Sequence, residues 1–256
     1  VPTDSADPRD PSDAADAADA AAKGKLSRPA RRQEKEAAIL REAEAQFARF
    51  GFEGASLEAI AAALGLSRHH LLYYFRSKEQ LYRRVLDDVM GQWLEGMAAL
   101  AQGQAPAHAL CDYIAAKLDA SAQRPEGTRV FSKEVIAGAP RYADGIRERV
   151  APLLQADVRQ FERWARRGEV RRLNYTHLMF VLWAVTQAYA DHAAQFALLL
   201  GKPALDARDF AAAQRVIETL VLAGLGLGTA VAARAPGVPP PPAQQQRRAA
   251  QRQRQA

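Results

Sequence analysis

Two groups of side chains in this sequence have types and spacings that could do chemistry, and in both the chemistry is recognition. The first is the run from Ser67 to Lys78, which holds Arg68, His69, His70, Arg76 and Lys78 without one acid. A serine at the head of such a run caps a helix, and the free N–H groups and positive dipole end of that helix attract a phosphate. Ser67 and Lys78 would each hold a backbone phosphate of duplex DNA. Arg68, His69 and His70 occupy the first turn, the part of a recognition helix that reaches base edges. Tyr73 and Tyr74 offer one packed ring and one hydroxyl for phosphate, in an order that spacing leaves open. The second group is Trp183, Gln187 and Asp191, which recur every fourth residue and share one helical stripe about 12 Å long. An aromatic face, an amide and an acceptor in that order suit a flat heterocycle with N–H and C=O edges. Phe131, Glu134 or Tyr142 from the preceding segment would close such a pocket. The same stripe is equally suited to bonding a neighbouring helix or lining a dimer seam.

Composition removes most other function classes. Cys111 is the single cysteine, which excludes an intramolecular disulfide framework and a cysteine-based zinc cluster. The histidines are His69, His70, His108, His177 and His192, and none forms an HExxH-type pair, so no metal or cofactor is expected. A nucleophile–base pair and a phosphate-binding glycine loop are both missing, which argues against an enzyme. There is no run of 18 apolar residues, so no transmembrane span or membrane partner is expected. The acidic, Ala-rich beginning is unlike a secretory signal, and the expected location is cytoplasmic. With 256 residues, 48% of them hydrophobic, the chain can bury a sizeable core.

Charge and composition divide the chain. Residues 1–22 carry a net −5, residues 23–35 a net +5 and residues 234–256 a net +5, which leaves +1 for residues 36–233. The Ala/Asp repeat of 1–27 lacks apolar residues to offset ordering entropy and reads as a disordered acidic tail. Residues 235–256, with Pro239 to Pro242 and a Gln/Arg run, read as a second disordered tail. Their basic blocks can add sequence-independent attraction to phosphate.

Between the tails the pattern is helical almost throughout. Ile39, Leu40, Ala43, Phe47 and Phe50 place a helix over 31–50, with Gly51 at its C′ position. Ser56 caps a second helix that turns Leu57, Ile60, Ala61 and Leu64 inward, Gly65 ends it, and Ser67 caps a third. Leu81, Val85, Leu86 and Val89 place the buried face of a fourth helix. Two short helices joined at Gly65 make a helix-turn-helix. Further helices are expected over 106–124, 143–168, 174–200 and 206–233, with Pro125, Gly138, Pro140, Gly168 and Pro203 as punctuation. The last helix would turn Phe210, Ile217, Leu220, Val221, Gly224, Leu225 and Gly228 toward a two-fold partner.

Ser56-Leu57-Glu58-Ala59-Ile60-Ala61, Leu64-Gly65-Leu66-Ser67 and Tyr73 through Tyr82 together resemble the TetR family of one-component repressors. The resemblance implies an all-α homodimer: a three-helix helix-turn-helix DNA-binding domain over 28–85 and a ligand-binding and dimerisation domain over 86–234. It adds Ser56 to the DNA-binding residues Ser67, Arg68, His69, His70, Tyr73, Tyr74 and Lys78. Leu72 stands where many members carry a phosphate-contacting tyrosine, which leaves Tyr73 or Tyr74 for that role. The Leu71-Leu72-Tyr73-Tyr74-Phe75 variant, Phe131 through Pro140 and Leu178 through Asp191 are similar to a subgroup of pyrimidine-utilisation regulators. That similarity implies double-stranded operator DNA as partner and uracil or thymine as effector. A TetR-type repressor for another small planar or lipophilic ligand fits the same helices.

Overall fold

The structure, a computed structural model, describes residues 28–102 and 105–227. The two tails expected at 1–27 and 235–256, and Gly228, lie outside the described residues. Among the described residues all regular structure is helical. The chain divides between Arg84 and Val85 into two compact units.

The first unit contains α1 (Arg28–Gly54), α2 (Leu57–Ala63), α3 (Arg68–Tyr74) and the start of α4 (Lys78–Leu100). α1 is interrupted at Gly51, whose φ of 70° and ψ of 179° lie outside helical space. Ser56 accepts from Ala59 N at 3.0 Å and caps α2; Ser67 accepts from His70 N at 3.1 Å and caps α3. Each such cap contributes about 1 kcal/mol to its helix. Between them Gly65 takes a φ of 66°, and Leu66 N donates back to Ala61 O at 2.9 Å, closing the turn. The core under these helices holds Ile39, Phe47, Ile60, Leu71, Phe75 and Leu81. Tyr82 meets Phe47 and Phe52 edge to face, with centroids 4.9 and 5.0 Å apart.

The second unit contains the remainder of α4, α5 (Pro106–Gln123), α6 (Pro125–Ile136), α7 (Ala143–Gly145), α8 (Ala151–Arg166), α9 (Tyr175–Asp191), α10 (Ala193–Leu199) and α11 (Ala207–Gly224). α9 is its centre and packs on α5, α6 and α8, while α11 packs on α5. Four expectations change here. The stretch 143–168 holds a π-helical turn, Ile146–Val150, between α7 and α8. The stretch 174–200 breaks at His192, where φ is −108° and ψ 18°. The last helix stops at Gly224 rather than 233, because Gly226 adopts a φ of 79° and Leu227 N turns back to Leu222 O at 2.8 Å. Pro125 opens a helix rather than merely ending one, since a first-turn proline has no N–H to leave unpaired.

The apolar side expected for the last helix also divides. Ile217, Val221 and Leu225 are buried within the unit, whereas Val216 and Leu220 face outward, Leu220 being 67% exposed. A Cβ added at Gly224 would meet nothing within 4 Å. Phe180 and Val181 on α9 and Leu198, Leu199 and Leu200 at the end of α10 are exposed as well.

Candidate DNA-reading surface and effector cavity

α3 presents its polar edge to solvent. Ser67, Arg68, His69 and His70 are all exposed, and Leu71 anchors the helix from beneath at zero exposure. Tyr73 is 66% exposed, while Tyr74 is half-buried beside the His70 ring at 5.7 Å and the Tyr73 ring at 5.3 Å. Tyr73 is therefore the tyrosine whose hydroxyl is free to reach outward, and Tyr74 the packed one. The guanidinium of Arg32, from α1, pairs with Glu36 at 2.9 Å and lies 5.6 Å from the Tyr73 ring centroid.

Arg68, Lys78 and Ser56 of the expected set are engaged inside the unit. Arg68 pairs with Glu58 of α2 at 2.7 Å, a contact between two seven-residue helices that linear spacing does not reveal. Both side chains are exposed, so the pair is weak and open to exchange for a phosphate. Lys78 donates to Glu53 O at 3.2 Å and stands 4.6 Å over the Phe52 ring. It ties α4 to the end of α1, and its remaining donors are what it can offer a phosphate. Ser56 is half-buried and spends its hydroxyl on the α2 cap.

In the second unit Trp183, Gln187 and Phe131 line a cavity of about 220 Å³. α4 adds Met90, Trp93 and Met97, α5 adds Tyr113 and Lys117, and the π-helical turn adds Ile146 and Val150. Trp93 and Phe131 meet edge to face at 5.0 Å, which fixes one aromatic corner. Trp183 Nε1 donates to the Tyr113 hydroxyl at 2.7 Å, which fixes another. Burial pushes the Tyr113 phenol above its ordinary range. Gln187 donates to Ser132 Oγ at 2.6 Å, and Ser132 in turn approaches the two Asp191 carboxylate oxygens at 2.8 and 2.7 Å. Gln187 is thus held from behind, with its amide at the cavity wall.

The remaining pocket residues named from sequence stand elsewhere. Asp191, the last residue of α9, is taken up by Ser132 Oγ and is not in the wall. Glu134 is buried and accepts from Arg141 N at 2.6 Å, holding the turn after α6. Tyr142 donates to Asp87 at 2.7 Å instead of closing the pocket. Burial, with the Asp87 carboxylate beside it, pushes its phenol up to about 12.

Lys117 is the residue that sequence reading missed. It is 6% exposed, stands 3.9 Å over the Trp93 ring, and has no hydrogen-bond acceptor among the described residues. Burial lowers its pKa to about 7, while the Asp191 carboxylate opposes that shift. A desolvated cation on an indole face gains about 2 kcal/mol, against several kcal/mol for leaving water. The signal was present: Leu110, Tyr113, Ile114, Lys117, Leu118 and Ser121 form one buried face of α5, and a lysine on such a face stands out.

The cavity wall is joined to α4 by a polar latch. Asp87 accepts from Tyr142 and from Arg149, and Asp88 pairs with Arg124 at 3.0 Å. Arg149 belongs to the π-helical turn whose Ile146 and Val150 face the cavity. Gly145 must be glycine here, because a Cβ would lie 2.6 Å from the Tyr142 ring. A larger depression of about 580 Å³, lined by Glu162, Arg166 and Arg172 through Thr176, offers no comparable aromatic enclosure. The described residues contain no group of His, Cys, Asp and Glu fit to hold a metal, and no helix long and apolar enough to cross a membrane.

Comparison with known proteins follows the same division. Residues 39–85 match the family described as bacterial regulatory proteins, tetR family, and residues 86–228 match YcdC-like protein, C-terminal region. The chain is 35% identical over 202 residues to the HTH-type transcriptional regulator RutR of Escherichia coli K12, covering 79% of this chain and 94% of that one. Among solved structures, the TetR family transcriptional regulator PfmR from Thermus thermophilus aligns with a TM-score of 0.60 at 16% identity, over 78% of this chain and 98% of its own. The ketosteroid transcriptional regulator KstR2 of Mycobacterium tuberculosis aligns with a TM-score of 0.57 at 19% identity, over 75% and 94%. At those identities the two structures speak to fold alone.

Proposed function

Because the chain belongs to the TetR family, a family of DNA-binding transcriptional regulators, we propose that it is a ligand-released repressor of pyrimidine catabolism. Its α3 enters the major groove of a near-palindromic operator, once from each protomer of a homodimer. Ser67, Arg68, His69, His70 and Tyr73 contact the DNA, with Ser56, Tyr74 and Lys78 at the edge of the footprint. The observation that carries this reading is the capped α3 with Ser67, Arg68, His69 and His70 in solvent. Exposed apolar residues on α9 and α11, among them Phe180, Val181, Val216 and Leu220, supply the two-fold seam. A two-fold pair sets recognition helices about 34–36 Å apart, one turn of B-DNA.

The effector is uracil or thymine, bound in the second-unit cavity between Trp93, Phe131 and Trp183, with its amide edge on Gln187. A ring in the cavity presses on Ile146 and Val150, and the same π-helical turn carries Arg149, which holds Asp87 on α4. α4 runs on from the helix-turn-helix unit, so a shift of its anchor alters the spacing of the recognition helices. How far the population moves is set by the ligand's differential affinity for the two states.

An electrophoretic mobility shift with the promoter of the chain's own gene tests both parts. Uracil or thymine should release the bound fragment, and unrelated aliphatic effectors should not. Retention of the fragment in every pyrimidine overturns the effector while leaving the repressor. Failure to prefer any promoter fragment over random duplex overturns the repressor. The apolar lining of the cavity favours a second effector class, small planar aromatics, which the same titration separates.

A further inference from the structure

We infer that the cavity binds its effector as a planar anion, with Lys117 as the residue that reads the charge. This inference rests on the effector-binding reading of the cavity and names what that reading leaves open, the electrostatic class of the ligand.

Four observations converge. Lys117 lines the cavity and is more than nine-tenths buried. Its ammonium has an indole face beside it but no acceptor among the described residues. The rest of the wall is indole, phenyl, phenol, thioether and aliphatic, with the Gln187 amide as the other polar group besides the Tyr113 hydroxyl. At about 220 Å³ the space suits one small ring. A buried cation facing an otherwise apolar cavity is completed by an anionic oxygen or nitrogen on a flat ligand, since the pair is neutral as a unit and satisfies the unmet donors.

The titratable groups around Lys117 support the assignment. Asp191 from α9 favours its charge, Tyr113 lies one turn back on α5, and Asp157 of α8 acts on that phenol. α4 and α6 present Trp93 and Phe131. With an empty-site pKa of about 7, Lys117 is mostly neutral at pH 8. A ligand that arrives already ionised, such as a ring carboxylate, must then draw a proton from buffer onto Nζ. A weakly acidic imide such as uracil instead hands its own N–H proton to Nζ, and no proton is exchanged with buffer. In both cases the bound state is ammonium against anion.

Calorimetric titration of the full chain at pH 8, in two buffers of different ionisation enthalpy, distinguishes these cases. The probes are orotate, benzoate, uracil, thymine and 1,3-dimethyluracil, which has no proton to lose. Orotate or benzoate should bind with uptake of close to one proton per protomer. In Lys117→Met the affinity for the ionised or ionisable probes should fall at least tenfold, and any affinity for 1,3-dimethyluracil should stay within about twofold. Lys-dependent binding of orotate or benzoate without uracil or thymine binding keeps the inference and removes uracil and thymine as the effector. Equal uracil affinity in wild type and Lys117→Met overturns the inference and keeps the pyrimidine effector. Binding of no anionic or ionisable probe overturns it, as does binding of orotate or benzoate that Lys117→Met leaves unchanged. Should Lys117→Met fail to fold, Lys117→Gln carries the same comparison of affinities.

Discussion

Asp157 should make this protein lose stability as pH rises from acid to neutral, and Asp157→Asn should remove that loss. The carboxyl is at zero exposure on α8, and neither oxygen has a hydrogen-bond partner among the described residues. Burial without compensation pushes its pKa from the ordinary 3.8 up to about 8. Below 3.8 the group is protonated in both the folded and unfolded chain, and folding is indifferent to it. Between 3.8 and about 8 the unfolded chain ionises while the folded chain keeps its proton, so stability falls with each step in pH. At about 1.36 kcal/mol per pH unit the full window sets a ceiling of about 6 kcal/mol. Half of that ceiling, about 3 kcal/mol, shifts the melting midpoint by roughly 6–12 °C in a chain of this size.

Lys117 produces the opposite slope in a different window. Its folded pKa of about 7 lies below the ordinary 10.5, so the unfolded chain holds the extra proton between them, and stability rises with pH there. Together the two groups place a stability minimum near pH 7 to 8 in the ligand-free protein. Circular dichroism melts at fixed protein concentration, from pH 4.5 to 9.5, resolve the two limbs. Asp157→Asn should flatten the descending limb and leave the ascending one. An unchanged descending limb in Asp157→Asn would refute the argument, because the ionisation would then be located elsewhere.

Three shorter expectations test the other parts. Glu58→Gln releases Arg68 from its 2.7 Å partner and removes a negative charge near the DNA, so operator affinity should rise several-fold at low salt, with the gain shrinking as salt increases; fluorescence anisotropy showing no gain places Arg68 outside the interface. Leu220→Asp puts a charge on the exposed apolar side of α11, and sedimentation velocity should report a monomer; a persisting dimer moves the seam to another face. Gly145→Ala drives a Cβ into the Tyr142 ring at 2.6 Å, which should destabilise the second unit by about 1–3 kcal/mol in urea and weaken the hold on Asp87; a wild-type midpoint would mean the ring moves freely.

The first unit was legible because its determinants are local. Ser56 and Ser67 cap their own helices through bonds that span three residues, and Gly51 and Gly65 take the positive φ that their positions demand. Such features can be read in a short window. The cavity depends on residues far apart in the chain, from Met90 on α4 to Gln187 on α9. A stripe on one helix gave Trp183 and Gln187, yet it could not say that Asp191 would be taken by Ser132, 59 residues away in sequence. Glu134 misled for a related reason: a carboxylate near a proposed pocket looks like a ligand contact, but the Gly138-Ala139-Pro140 turn had an N–H at Arg141 to satisfy. The break of α9 at His192 carries no Gly or Pro to announce it.

Lys117, Asp157 and the latch on Asp87 all belong to the unit that would bind the effector, and two of them oppose folding near neutral pH. A domain packed for stability alone would carry a methionine at 117 and a leucine at 157, since apolar residues of similar volume fill such sites without desolvation cost. Retaining a buried lysine with no acceptor among the described residues makes sense if a ligand supplies one, for the ligand then offsets a cost borne without it. Binding energy of that kind is differential by construction: it is available only in the conformation that brings Nζ to the ligand. The π-helical turn is tied to α4 through Arg149 and Asp87, so under the proposed reading a stabilising contact in the cavity would bias the helix that leads to the helix-turn-helix. Severing the join while keeping the cavity, as in Arg149→Met, should therefore leave ligand affinity nearly intact and abolish the release of operator DNA.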